Sequence, residues 1–236
     1  MLPVRRRFLA AVLLLALGAC AAETAREAPS LRQAGGPPRV AVLPPDLSLA
    51  RLTAGGTRQP VAAWTLAAER NLTLGLMAAI RERGGRAEPA PHDLWAEPDL
   101  QAVRRLYGRV AAAILAHRFG RRGDRLPAKA GPLGWSLGEA AAPLRHRLAG
   151  ADYALFVTLD DSYASGGRRA LAVAEMLLFL VPATWPSGAQ AGLATLVDLR
   201  TGAVVWASHI DRASGDLRTP DAARETAAAL LRDLPL

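Results

Sequence analysis

Cys20 is the only cysteine in the 236 residues. No intramolecular disulfide can therefore form, and the fold has to hold by packing alone. The supply for that packing is adequate: 51% of the residues are apolar. About 216 residues follow Cys20, enough for one sizeable domain. The position of the cysteine adds a second constraint, because it closes a short greasy stretch near the start of the chain.

Arg5, Arg6 and Arg7 are followed by an apolar run from Phe8 to Leu17, then Gly18, Ala19 and Cys20. A charged start, an apolar middle and small residues make up a secretory signal. The run is too short for a spanning helix, which needs roughly 20 apolar residues. Leu17-Gly18-Ala19-Cys20 resembles the bacterial lipoprotein signal, the lipobox. There an aliphatic and two small residues precede a cysteine whose thiolate takes a diacylglyceryl group. The expectation is a signal peptide over residues 1–19, removed to leave acylated Cys20. Several chains, each CH₂ worth about 0.8 kcal/mol, then hold the protein on a membrane. Ala21, in place of the aspartate that retains such proteins at the inner membrane, implies the outer membrane. Arg5-Arg6-Arg7-Phe8-Leu9 also resembles the twin-arginine export pattern, so general secretion and twin-arginine export both stay open. Residues 21–38 (AAETAREAPSLRQAGGPP) are small, polar and Pro/Gly-rich, which predicts a flexible tether.

The formal charge is +8, and Arg5 to Arg7 supply three of those charges, leaving the exported part nearer +5. Export excludes nucleic acid as a partner. Anionic headgroups and cell-wall polymers remain.

Residues 39–45 (RVAVLPP) predict a buried strand stopped by a proline pair. Residues 46–60 show little period and two glycines, and are expected as loop. Residues 61–83 predict a helix with Leu66, Leu72, Leu76, Met77 and Ile80 on its buried face. Residues 86–91 predict a short edge strand, demoted by Pro89 and Pro91. Pro98 opens a long helix to about His117, with Leu100, Val103, Leu106, Val110, Ile114 and Leu115 expected on one face. Residues 120–134 are expected as a basic loop. Ser136-Leu137-Gly138-Glu139 has the form of a capping box opening a helix to Leu148. Residues 152–159 (DYALFVTL) and 189–199 (AQAGLATLVDL) predict strands. Arg200-Thr201-Gly202 predicts a turn into a partner strand at 203–209. Thr219-Pro220 predicts the cap of a C-terminal helix over 221–233. The order β-α-β-α-α-β-β-β-α implies one α/β layered domain over residues 39–236, with a mixed sheet and flanking helices.

Residues 170–186 (ALAVAEMLLFLVPATWP) carry one charge, Glu175. Three readings stay open: a buried helix over the sheet, a membrane-lying helix, and a strand pair inserting with other copies. Arg168 and Arg169 precede the segment and suit headgroups. With Met176, Leu177, Phe179 and Leu180 they are the candidate membrane or partner contacts.

The chemistry expected of an enzyme is sparse. His92, His117, His146 and His209 are not at i, i+4 spacing, so no zinc site is expected. There is no G-x-S-x-G and no phosphate-binding glycine loop; Ser162 and Ser165 read as turn or strand-end residues. Asp160 and Asp161 could be imagined as acid and base of a cell-wall glycosidase. Adjacent residues on an extended chain point to opposite faces, however, so turn or capping roles are expected of them. Arg122-Gly123-Asp124 spells an adhesion tripeptide in a basic loop and reads as chance. Asn71-Leu72-Thr73 is a formal sequon inside a predicted helix. No catalytic residue, cofactor or metal ligand is assigned.

Three short motifs carry a family resemblance. Val40-Ala41-Val42-Leu43-Pro44-Pro45, Gly150-Ala151-Asp152-Tyr153-Ala154-Leu155 and the hairpin from Leu196 to Trp206 (LVDLRTGAVVW) resemble envelope lipoproteins related to the curli-export subunit CsgG, to LpoB and to the TolB N-terminal domain. Residues 161–170 (DSYASGGRRA) resemble a set of uncharacterised proteobacterial lipoproteins. The resemblance implies a non-catalytic outer-membrane lipoprotein facing the periplasm, which binds a protein partner in envelope assembly or transport. The alternative it implies is a homo-oligomeric pore or secretion subunit, although residues 170–186 do not alternate as the pore hairpins of such relatives do. A cell-wall or lipid hydrolase is the third reading.

Overall fold

The computed structural model describes residues 31, 36–53, 55, 57–120, 126–127, 133–164, 188–212 and 215–236. Cys20, Arg168, Arg169, Met176, Leu177, Phe179 and Leu180 lie outside the described residues. So do Arg122-Gly123-Asp124, Ser165 and the whole of 170–186.

The chain forms the mixed α/β domain that its pattern implies. Its centre is the twelve-residue strand β5 (Tyr153–Ala164). Along one edge of β5 lie two strands end to end, β1 (Arg39–Val42) and β2 (Asp46–Leu52), both parallel to it. Pro44 and Pro45, which have no N–H to give, sit at the break. Val42 pairs with Leu155 and Asp46 with Thr158, so three residues on one side face two on the other. The extra residue reverses parity. Val40 and Val42 face one core, and beyond the break Leu47 and Leu49 face that same core.

Residues 46–60 are therefore not the loop expected from their glycines. They hold β2 and the antiparallel β3 (Arg58–Pro60). The alternating Leu47 and Leu49 carried the strand signal, masked by a polar majority. On the outer side of β1 runs the parallel β4 (Arg86–Pro89), the expected edge strand. The other edge of β5 carries the antiparallel hairpin β6 (Gly188–Asp198) and β7 (Val204–Arg212).

Helices cover both faces of the sheet. One face packs Val42, Leu155, Val157, Leu159, Leu196 and Trp206 against α1 (Ala62–Glu82) and α4 (Pro220–Leu230). The two helices touch closely at Gly75, where an added Cβ would lie 3.2 Å from the Ala227 Cβ. The other face packs Ala41, Leu43, Phe156, Leu193 and Val197 against α2 (Pro98–Ile114) and the short α3 (Ala142–Arg147). Burial on both sides explains why β5 reads as a continuous apolar run rather than an alternation.

Several local expectations are corrected. Leu66 is 69% exposed, off the buried face of α1. On α2 the buried stripe is Leu100, Val103, Tyr107, Ala111 and Ile114, while Leu106 and Leu115 face outward. α2 then widens into a π-helical turn, Leu115–Phe119. Ser136 makes no capping box. Its Oγ accepts from the Gly138 N–H at 2.8 Å and donates to the Gly202 carbonyl at 3.0 Å, tying this segment to the β6–β7 turn. The Thr219 hydroxyl donates to the Asp216 carbonyl and makes no cap bond to α4. Asp160, Asp161 and Ser162 belong to β5 rather than to a turn.

The three motifs have structural duties. Asp152 Oδ2 accepts the Arg39 N–H at 2.7 Å and so joins the starts of β5 and β1. Trp206 Nε1 donates to the Asp233 carbonyl at 2.9 Å and pins the C-terminus. Asp198 Oδ1 takes the Arg200 and Thr201 N–H groups at 2.7 and 3.2 Å, closing the hairpin turn.

Candidate functional site

The sheet has unequal edges. β3 ends in Pro60 and β4 in Pro89, and both are short, so strand addition there is blunted. β7 runs nine residues (VVWASHIDR) with no proline or glycine. At its start the Val204 N–H donates to the Trp135 carbonyl at 2.9 Å, and Ser136 bridges Ala203. Beyond that point, among the described residues, no strand pairs the outer edge of residues 205–212. Val205, Ala207, Ser208, His209 and Ile210 along it are half-buried. The His209 ring stacks on Phe119, centroids 5.4 Å apart, fixing one face of the strand against the end of α2.

The far ends of β5, β6 and β7 are tied by a buried polar cluster. Asp161 is 1% exposed and Gln190 and Thr226 are fully buried. Asp161 Oδ2 accepts from the Tyr163 hydroxyl, and from Gln190 Nε2 at 2.9 Å. Tyr163 Oη accepts the Leu217 N–H at 3.0 Å. Gln190 Oε1 accepts from Arg212 Nε at 2.7 Å and from the Thr226 hydroxyl at 3.1 Å. Burial pushes the Asp161 carboxyl up, against the bonds from Tyr163 and Gln190 that favour its charge. Tyr163 is pushed up by burial and by its bond to Asp161. Beside the cluster, Arg218 lies over Tyr163 and Trp64, 4.1 and 4.7 Å from the ring centroids, and holds Asp216 with two bonds of 2.7 and 2.6 Å. Asn71, the sequon asparagine, lies inside α1 and donates to the Leu217 and Arg218 carbonyls at 3.2 and 3.1 Å. Every named donor has an acceptor, so the cluster is a lock between strand ends and α4.

On the opposite face α2 leaves a cleft of about 200 Å³ beside Trp95, Arg104, Tyr107 and Phe156. Tyr107 stacks on Phe156 at 3.9 Å and receives the Thr195 hydroxyl at 3.0 Å. Burial raises its phenol to about 12, which makes it a poor proton carrier at neutral pH. Arg104 at the mouth pairs with Asp46 at 3.2 Å.

The two adjacent aspartates diverge as extended geometry requires. Asp160 is nearly half exposed and pairs with Arg58 Nη2 at 2.5 Å, whereas Asp161 points into the core. They cannot flank one bond as acid and base. Asp160→Asn is expected to change stability by less than about 1 kcal/mol, as exposed pairs do; a two-state urea titration checks this. Ser162 exchanges bonds with the Ala189 backbone across β6, a strand-end role. Among the described residues no three His, Cys, Asp or Glu gather to hold a metal, and no helix is long and apolar enough to cross a membrane.

The structure tests none of the contact residues expected from sequence, since all lie outside the described residues. What sequence reasoning missed was the Asp161, Gln190 and Arg212 lock. Polar residues in strand-like stretches were its only signal.

No family model and no curated protein matches the chain. Solved structures do match in part. A PelC dodecamer from Paraburkholderia phytofirmans is 18% identical, with 86% of this chain and 95% of that one covered at a TM-score of 0.35. Lipoprotein GNA1162 from Neisseria meningitidis is 16% identical, covering 76% and 82%, at 0.32. The LpoB C-terminal domain from Salmonella enterica is 14% identical, covering 75% and 83%, at 0.27. At these TM-scores the likeness is partial, and the function of this chain has to be read from its own residues.

Proposed function

We propose that this chain is a non-catalytic lipoprotein, held by acylated Cys20 at the periplasmic side of the outer membrane, whose domain binds a protein partner of envelope assembly or transport. The lipid anchor and the location rest on Leu17-Gly18-Ala19-Cys20-Ala21. The observation that carries partner binding is the outer edge of β7, which no strand among the described residues pairs. An extended segment can add there as an eighth strand, with main-chain bonds giving affinity and the half-buried side chains giving selectivity. The cluster of Asp161, Gln190 and Arg212 holds the far end of this edge in register. The oligomeric-pore alternative keeps residues 170–186 as its wall and is separated by the same experiment.

Alternate residues of an edge strand turn their N–H outward. Of Ala207→Pro and Ser208→Pro, one therefore removes an outward donor and leaves the β6 ladder whole. Circular dichroism and thermal unfolding identify that variant. Copurification from native membranes is then compared with the unmodified chain. The folded variant is expected to lose its partner by about tenfold, the effect of one main-chain bond of about 1.4 kcal/mol. A homo-oligomer lost in the same variant would make the partner a second copy. Full partner recovery with the folded proline variant would overturn the edge as the binding site.

A further inference from the structure

Glycine inside a helix is destabilising relative to alanine, so its presence there needs a reason. Gly108 stands in the interior of α2. Crowding does not supply the reason, because a Cβ built on Gly108 would meet nothing within 4 Å. What the missing side chain leaves is room. Gly108 lines the cleft of about 200 Å³ beside Trp95, together with Ala111, Ala112 and Leu115 of the same helix. Leu115 also begins the π turn, a widening that recurs at functional sites. The floor of the cleft is aromatic. Tyr107 stacks on Phe156 with centroids 3.9 Å apart, and Trp95 lies 6.4 Å from Phe156 at 31°. The mouth is basic. Asp46, Trp95 and Arg104 line both the cleft and a shallower depression of about 360 Å³, to which Gln101 and Arg105 contribute. Among the described residues Asp46 is the one acid lining either space, and Arg104 holds it at 3.2 Å. Arg105 is exposed and has no hydrogen-bond or ion-pair partner among the described residues. No acid stands three or four positions from it along α2.

We infer that this cleft is a binding site for a small aromatic carboxylate. Ligand sites are mostly apolar clefts with a few placed polar groups, and this one has that build. An apolar cavity of about 150 Å³ admits a benzene ring, so the space here takes a ring and a short stem. The ring lies against the aromatic floor, where ring contacts add to simple burial. The carboxylate reaches the guanidinium groups at the mouth, Arg105 with all its donors free and Arg104 with those that Asp46 does not use. A sugar ring fits less well, because its hydroxyls would face Ala111, Ala112 and Leu193 without partners. A cation would meet two arginines against one aspartate. The site is separate from the β7 edge and does not depend on the partner reading made there.

The probes are 3-phenylpropionate and its neutral amide, titrated into the full chain and followed by ligand-observed saturation-transfer NMR. The acid is expected to saturate with a Kd of about 1 mM, the range that a ligand of this size reaches. The amide should bind about fivefold more weakly, the effect of one exposed ion pair. Arg105→Gln should bring the two probes to within about twofold of each other. Gly108→Leu should abolish binding of both by filling the cleft. Its Tm should rise at the same time, because leucine replaces an interior glycine, and that rise distinguishes a filled site from an unfolded chain. Ala112→Leu, on the same wall, should also abolish binding and keeps the test open if the first variant does not fold. Unchanged affinity in a folded cleft-filling variant would overturn the inference, as would the lack of any saturable signal from the acid. Equal binding of acid and amide to the unmodified chain would overturn the choice of an anion. A fivefold preference that survived Arg105→Gln would overturn the mouth as the seat of the carboxylate.

Discussion

Asp161→Ala should lower stability by about 2–4 kcal/mol, because the Tyr163 hydroxyl and the Gln190 amide lose a buried acceptor, each at about 1–3 kcal/mol. Asp161→Asn should cost less than Asp161→Ala at neutral pH, and its cost should carry no pH dependence of its own. Both donors reach the same oxygen, Oδ2, and an asparagine carbonyl oxygen can accept both. What the amide removes is the charge, and burial already disfavours that charge. The folded carboxyl holds its proton to higher pH than the unfolded one. Its stabilising contribution is therefore fully present below the unfolded aspartate range and is lost as pH rises through the raised folded value. The unmodified chain should thus lose stability relative to Asp161→Asn as pH climbs from about 4 toward 7. Urea unfolding of both chains across that window measures the difference, and other titrating groups cancel. A gain for the unmodified chain with rising pH would mean that the bonds to the carboxylate outweigh its desolvation.

How much of this was legible in the sequence differs by element. β5 was clear, because a strand buried on both faces shows as an unbroken apolar run. β4 was clear because two prolines confine it to an edge. β2 was not, since only Leu47 and Leu49 mark its inner side and the flanking glycines outvote them. α1 was legible as a helix but not as to its faces. Leu66 and Leu74 are apolar yet outward, and periodicity alone assigns apolar residues inward. The polar lock at Asp161 was out of reach for a geometric reason. Counted back from Asp198 and Ala203, an unbroken hairpin would set Gln190 opposite Asp211. The irregularity between Leu196 and Val197 shifts the ladder by one and sets Gln190 opposite Arg212. One extra residue decides which side chain meets the amide, and nothing in the composition of β7 announces it.

The hairpin turn itself allows the second large effect to be separated into two causes. Gly202 has φ +72° and Gly138, packed against it, has φ +55°. Both adopt a backbone that glycine and asparagine tolerate best. Their surroundings differ. A Cβ on Gly138 would meet nothing within 4 Å, whereas a Cβ on Gly202 would lie 2.3 Å from the Gly138 carbonyl oxygen. Gly138→Asn should therefore cost less than about 1 kcal/mol, a purely conformational change. Gly202→Asn should cost about 2–4 kcal/mol even though asparagine accepts the dihedral, because backbone must move to admit any side chain. Gly202→Val should be worse, with a β-branched residue forced to positive φ. The damage would spread from the turn. The Gly202 carbonyl accepts both the Ser136 hydroxyl at 3.0 Å and the Leu137 N–H at 2.8 Å, so a shift there frees the segment that covers the start of β7. Chemical denaturation of the three variants checks the ranking, and hydrogen exchange at Val204 reports the loosened cover. If Gly202→Asn proved as mild as Gly138→Asn, the turn glycine would be there for its dihedral alone, and the close approach of the two backbones would not be what holds the start of β7 in place.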